Sequence, residues 1–167
     1  KPESYTIFGK QTIAAADGTV VHAVDGLPEG VPGTYRDPIS LTEADGNSVV
    51  VDIGNGLYML YAHMQPGSLL VREGQQVRKG DPIGRVGNTG RSLAPHLHFQ
   101  VMDGPSPLSA EGVPYVVDNF TVTGRISSPA AFEEFETSTS PMPVDPSPFA
   151  GEHRDQIPMN LYVVTFP

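Results

Sequence analysis

Apolar positions fall mostly in runs of about four to eight residues, cut by glycine, proline and Asn-Gly or Asp-Gly pairs, a pattern that predicts short strands and tight turns. Thr12-Ile13-Ala14-Ala15-Ala16 runs into Asp17-Gly18, and Thr19 to Val24 alternates as a returning strand, so a hairpin is expected there. From Asp25-Gly26 to Asp45-Gly46, the stretch Leu27-Pro28-Glu29-Gly30-Val31-Pro32-Gly33 breaks any ladder and reads as a long surface loop. Ser48 to Ile53 and Leu57 to His63 predict a second hairpin around Gly54-Asn55-Gly56. Gly74 to Gly84 alternates turns with single apolar anchors, Arg85-Val86 leads into Gly87-Asn88-Thr89-Gly90, and His96 to Met102 is expected as the closing core strand. Tyr115 to Thr123 reads as a further strand. Thr137 to Pro148, rich in serine, threonine and proline, reads as an exposed, poorly ordered loop, and Leu161 to Phe166 as a strand returning to pair with the body. There are no heptads or long repeats, although the segments around Gly18 and Gly80 share a brief strand-then-glycine motif.

Composition narrows this to an all-β class. With 18 glycines, 17 prolines and no tryptophan, turns must be frequent and strands short. A chain of 167 residues suits one core. The expected division is a β domain over residues 1–124 and a C-terminal extension, 125–167, that holds the Pro/Ser/Thr-rich loop and packs on the same domain. A net charge of −9 with scattered basic residues offers no stripe for a phosphate backbone, so neither nucleic acid nor an anionic membrane surface is an expected partner. No apolar stretch approaches the roughly 20 residues that span a bilayer, so no membrane insertion is expected. Zero cysteines leave only histidine and carboxylate to hold a metal. The chain opens on Lys1, which raises the expectation of a leader or longer region upstream.

The chemistry concentrates on histidine. In Pro95-His96-Leu97-His98-Phe99, two imidazoles share one face of an expected strand about 7 Å apart, so one could bind a metal while the other reaches a water on it. His63 ends Leu57-Tyr58-Met59-Leu60-Tyr61-Ala62 and by alternation shares a face with Tyr61 and Met59. His22 reads as a solvent-facing strand residue and His153 as part of a charged surface segment.

Taken together, Gly56 to Met64, Val71 to Gly84, Gly87-Asn88-Thr89-Gly90 and Pro95-His96-Leu97-His98-Phe99 resemble, in order and spacing, the lysostaphin and LytM-type zinc endopeptidase family, over about residues 13–102. The resemblance implies an open, barrel-like β-sandwich of short antiparallel strands, a duplicated hybrid motif, followed here by an irregular C-terminal extension. It implies zinc as cofactor, peptides of bacterial peptidoglycan as substrate, and export to the periplasm, cell wall or medium. Residue by residue, His98 matches a zinc ligand, His96 matches the histidine that hydrogen-bonds the attacking water or the developing charge, and His63 matches the histidine that assists beside it. A phosphocarrier of the sugar phosphotransferase system shares the architecture, but the Pro-His-Leu-His-Phe and Tyr-Ala-His contexts favour the peptidase.

The chain also departs from the family. The family's zinc is held in addition by a histidine and an aspartate ahead of the strand that here reads Ile13-Ala14-Ala15-Ala16, whereas Lys1 to Ala16 contains neither residue. Catalytic zinc normally takes three protein ligands. Three outcomes follow: a zinc endopeptidase whose N-terminal ligand motif lies outside this chain, a degenerate relative acting as a cell-wall binding or activator module, or a replacement set made of His63, His96 and His98. Asp45 or Asp37, on the long loop, could add a carboxylate. Oligomeric state is not legible in the sequence.

Overall fold

The computed structural model describes residues 1–136, 138 and 140–167, the side chains at 135 and 136 aside. The chain forms two compact units, Lys1–Val113 and Pro114–Pro167. In the first, strands β1 (Gln11–Ile13), β2 (Gly18–Val24), β3 (Asn47–Gly54), β4 (Leu57–Met64), β5 (Gln76–Val77), β6 (Pro82–Arg85) and β7 (His98–Met102) build a five-stranded sheet, ordered β5-β2-β3-β4-β7, and a separate β1-β6 pair. All pairings are antiparallel and no barrel closes.

The centre of the sheet explains its own sequence. Val49-Val50-Val51 is a continuous apolar run because β3 is covered on both faces. Val49 and Val51 pack with Val20, Tyr61, Met64, Val77, Ile83 and Ala14, while Val50 packs with Leu60, Ala62 and Met102. Tyr61 is only 2% exposed, so its hydroxyl needs partners; it accepts from Ala15 N–H at 2.7 Å and contacts Met59 Sδ at 3.6 Å. Burial pushes the Tyr61 phenol up to about 12, which keeps it neutral.

The expected hairpin around residues 54–56 forms, with Asp52 opposite Tyr58. Asn55 and Gly56 take φ of 55° and 74°, the pair of left-handed residues that joins strands without splaying them. The expected hairpin at Asp17-Gly18 does not form. β1 pairs with β6, and β2 pairs with β3 and β5. Asp17 Oδ1 accepts from Lys79 N–H, and Ala14 exchanges hydrogen bonds with Gly80 and Asp81, so these residues carry the chain from one sheet to the other. Gly18 is required there because a Cβ would collide with Asp52 O and the Val51 side chain.

The second unit is a three-stranded sheet, β10-β8-β9, formed by β8 (Val117–Arg125), β9 (Gly151–Gln156) and β10 (Tyr162–Thr165). Residues 117–124, assigned above to the first domain, therefore pair within the second unit, and the 161–166 strand pairs with β8 in that unit. A short helix, α1 (Pro129–Glu136), was not expected; Ser128 Oγ accepts from Ala131 N–H at 3.1 Å, and Pro129 occupies the first helical position. In the 137–148 stretch, positions 137 and 139 lie outside the described residues, while Asp145 bridges Arg125.

Candidate metal centre

Each imidazole of the first unit is aimed by backbone features around it. His63 lies where β4 is irregular: Tyr61 pairs with Val49 and Met64 with Asn47, so the strand carries an extra residue, and His63 takes a left-handed φ of 60°. A bulge of this kind re-aims a side chain, and it interrupts the alternation expected to group His63 with Tyr61 and Met59. The strained backbone is held from both sides, by His63 N–H on Asp45 O at 2.9 Å and Gly87 N–H on His63 O at 3.0 Å. His98 is the first residue of β7 and pairs with Ala62, next to the bulge. His96 lies ahead of β7 and not within it, which corrects the expectation of one strand bearing both.

The three rings nonetheless meet. His63 is buried, His98 half-buried and His96 exposed, and one ligand nitrogen from each lies within 4.8 Å of the others. The His63 ring centroid is 4.8 Å from that of His96 and 5.7 Å from that of His98. His22 and His153 stand apart from this cluster. His22 is solvent-exposed, 3.7 Å from Glu73, and His153 stacks on Phe120 in the second unit.

Hydrogen bonds decide which nitrogens are available. A carbonyl oxygen can only accept, so His63 Nδ1, 2.8 Å from Thr89 O, carries the proton, and its Nε2 holds the lone pair. The same argument applies to His96, whose Nδ1 lies 2.8 Å from Ala94 O. His98 Nε2 lies 3.5 Å from Gln100 Oε1, too long to fix its tautomer. Imidazoles that donate one N–H to a carbonyl and present the other nitrogen have the arrangement of metal ligands. The residues present fit a zinc ion.

Burial, then the neighbouring His96 charge, hold the His63 pKa down at about 4, so the ring is neutral at pH 7. The carbonyl of Thr89 opposes this shift and His98 adds to it. The unfolded chain protonates this position near the usual value of 6.5, so stability contributed above that pH is lost as pH falls toward 4. We expect His63 to contribute about 3 kcal/mol to the acid loss of stability over that window. Urea unfolding at both ends of the window should therefore show a flatter dependence for His63→Gln than for the parent.

Asp45 and Asp37 are placed differently. The Asp45 carboxyl is raised by burial and drawn down by the charges of His98 and then His22, so it lies within electrostatic reach of the cluster. Asp37 lies 4.0 Å from Arg91 Nε. Neither joins the three imidazoles as a close ligand group among the described residues. Sequence reasoning missed the supports: Thr89, Asn88 and Ser92 are almost wholly buried polar residues. For Asn88 and Thr89 the signal is a polar pair between Gly87 and Gly90, and for Ser92 its place between that turn and the histidines.

The match to known proteins covers this same region. Residues 5–110 match the sequence profile described as Peptidase family M23. Over 65 residues, 39% of this chain, it is 42% identical to the peptidoglycan DD-endopeptidase ShyA of Vibrio cholerae, of which the match covers 15%. Over 103 residues, 60% of the chain, it is 39% identical to the DD-carboxypeptidase/endopeptidase Mpg of Neisseria meningitidis, of which the match covers 21%. The matched stretches thus span less than a quarter of these relatives. Among solved structures, the catalytic domain of lysostaphin from Staphylococcus simulans aligns over 65% of this chain and 70% of its own, at 27% identity and a TM-score of 0.47. With the profile spanning more than half of its length, this chain belongs to peptidase family M23.

Proposed function

We propose that the domain is a zinc-dependent endopeptidase acting outside the cytoplasm on the peptide part of bacterial peptidoglycan. The observation that carries this reading is the convergence of His63, His96 and His98, two of them with Nδ1–H committed to a backbone carbonyl. In this reading His98 is a metal ligand, and His96 and His63 are the catalytic pair beside it. Zinc held there would supply Lewis acidity and would bring the pKa of a water on it toward about 7. The exposed His96, its Nδ1–H on Ala94 O, would accept a proton from the attacking water through its Nε2 lone pair. His63, kept neutral by burial, offers its Nε2 lone pair as a fixed hydrogen-bond acceptor. The names of the relatives, a peptidoglycan DD-endopeptidase and a DD-carboxypeptidase/endopeptidase, support the substrate class.

A second reading, a module that binds cell-wall peptides without cutting them, is favoured by one observation. Residues 1–16 hold neither the histidine nor the aspartate that the family's zinc takes from this region, and Glu3 is their only carboxylate. Incubation of the zinc-supplied protein with purified peptidoglycan, followed by detection of new amino termini, tests both. The expected result is zinc-dependent release that a chelator stops. Sedimentation with peptidoglycan without new termini would select the second reading, and neither binding nor cleavage would overturn both.

A further inference from the structure

The wall that precedes the histidines contains a hydrogen-bond chain whose direction follows from the backbone carbonyls at its ends. Asn88 is 0% exposed and Ser92 2%. Asn88 Nδ2 donates to Gly30 O at 3.1 Å, which leaves its Oδ1 toward Ser92 Oγ at 2.7 Å. Ser92 Oγ also lies 2.9 Å from Ala94 O and 3.3 Å from His96 Nδ1. The hydroxyl has one proton and two carbonyl-type acceptors near it, so its remaining role toward His96 is to accept. His96 Nδ1–H is therefore shared between Ala94 O and Ser92 Oγ, and the Ser92 proton goes to the shortest contact, Asn88 Oδ1. At the far end, Asn88 N–H donates to Glu29 Oε2 at 2.6 Å, and Glu29 bridges Thr89, whose carbonyl holds His63.

We propose that the buried Asn88 and Ser92 are positioning residues for His96, forming with the half-buried Glu29 a chain that fixes the proton on His96 Nδ1 and reserves Nε2 for the reaction. The proposal rests on the reading of His96 as a catalytic group, but its test does not use turnover. Neither residue touches substrate; they act through the ring. Two consequences follow. The long loop, through Glu29 and Gly30, is wired to one histidine through Asn88 and Ser92 and to another through Thr89. Removing the Ser92 hydroxyl also leaves Asn88 Oδ1 buried without its donor, which loosens the wall at the point where the ring needs it.

The experiment is long-range proton–nitrogen NMR of the histidine rings at neutral pH in the metal-free chain, on the parent, Ser92→Ala and Ser92→Thr. The expected parent spectrum has His96 overwhelmingly as the Nδ1–H tautomer. In Ser92→Ala the Nε2–H form should rise about threefold or more, and Ser92→Thr, which keeps the hydroxyl, should restore the parent ratio even where its extra methyl lowers Tm. A parent ring with Nε2–H dominant overturns the proposal, as does an unchanged ratio in Ser92→Ala. A ratio that follows Tm across the variants, and not the hydroxyl, assigns Ser92 to general stability and also overturns it. Failure of zinc-dependent cleavage would leave these spectra unaffected, so the two readings fail separately.

Discussion

His98→Ala is expected to abolish zinc retention and to lower any peptidoglycan cleavage by roughly a thousandfold, with little change in fold stability. The argument starts from β7, whose pairing with β4 uses the backbone of residue 98 and not its ring. Alanine is accommodated on that ladder, and the half-buried imidazole leaves a space open to solvent. Its loss removes one nitrogen from a cluster whose members lie within 4.8 Å of one another. In the reading above His98 is the ligand this chain supplies, and His63 and His96 stand beside the metal as the catalytic pair, so without His98 no residue assigned to zinc remains. Elemental analysis after dialysis against trace zinc is the direct check, run beside thermal unfolding. A His98→Ala protein that keeps the parent's zinc content would remove His98 from the ligand set.

Gly90→Ala is expected to destabilise the first unit by about 4 kcal/mol, from backbone strain and overpacking together. Gly90 has φ of +73°, and a Cβ there would stand 2.5 Å from Ala44 O and close on the backbone of Gly46. Gly46 is its mirror, with φ of +67° and a Cβ position 2.5 Å from the carbonyl carbon of Thr89. The two backbones cross without side chains, and the crossing carries the site: Arg91 N–H donates to Ala44 O, Asn47 N–H to Thr89 Oγ1, and Thr89 O receives His63 Nδ1–H. Forcing the strands apart should therefore displace His63 as well as lower Tm. Urea unfolding gives the stability, and the His63 ring resonances report the displacement. A fully stable Gly90→Ala protein with unmoved His63 signals would show that the crossing is not tight.

How much of this could be read in the residues depended on whether the deciding interaction was local. The 47–64 hairpin was legible because Asn55-Gly56 and the β-branched run before it each specify the same structure. The 12–24 hairpin was misread because its outcome is set by Asp17 reaching Lys79 and by Ala14 bonding Gly80 and Asp81, partners more than sixty residues away. Ser128-Pro129 was a start signal for α1 in plain view, outweighed by the scarcity of helical periodicity elsewhere. The cluster of His63, His96 and His98 was anticipated, while its means were not. His96 is oriented by Ala94 O and Ser92, not by a strand, and no local signature marks a histidine that will adopt φ of 60°.

That conformation at His63 sets two demands on one position. In backbone terms alone a left-handed residue at a bulge is cheapest as glycine or asparagine, by about 1 kcal/mol, but glycine would also empty the buried ring's place and leave Thr89 O without its donor. Only the imidazole gives a reason to keep histidine there. Position 63 therefore joins two requirements that pull apart, a backbone that glycine would suit and a buried carbonyl at Thr89 that only a side-chain donor can satisfy.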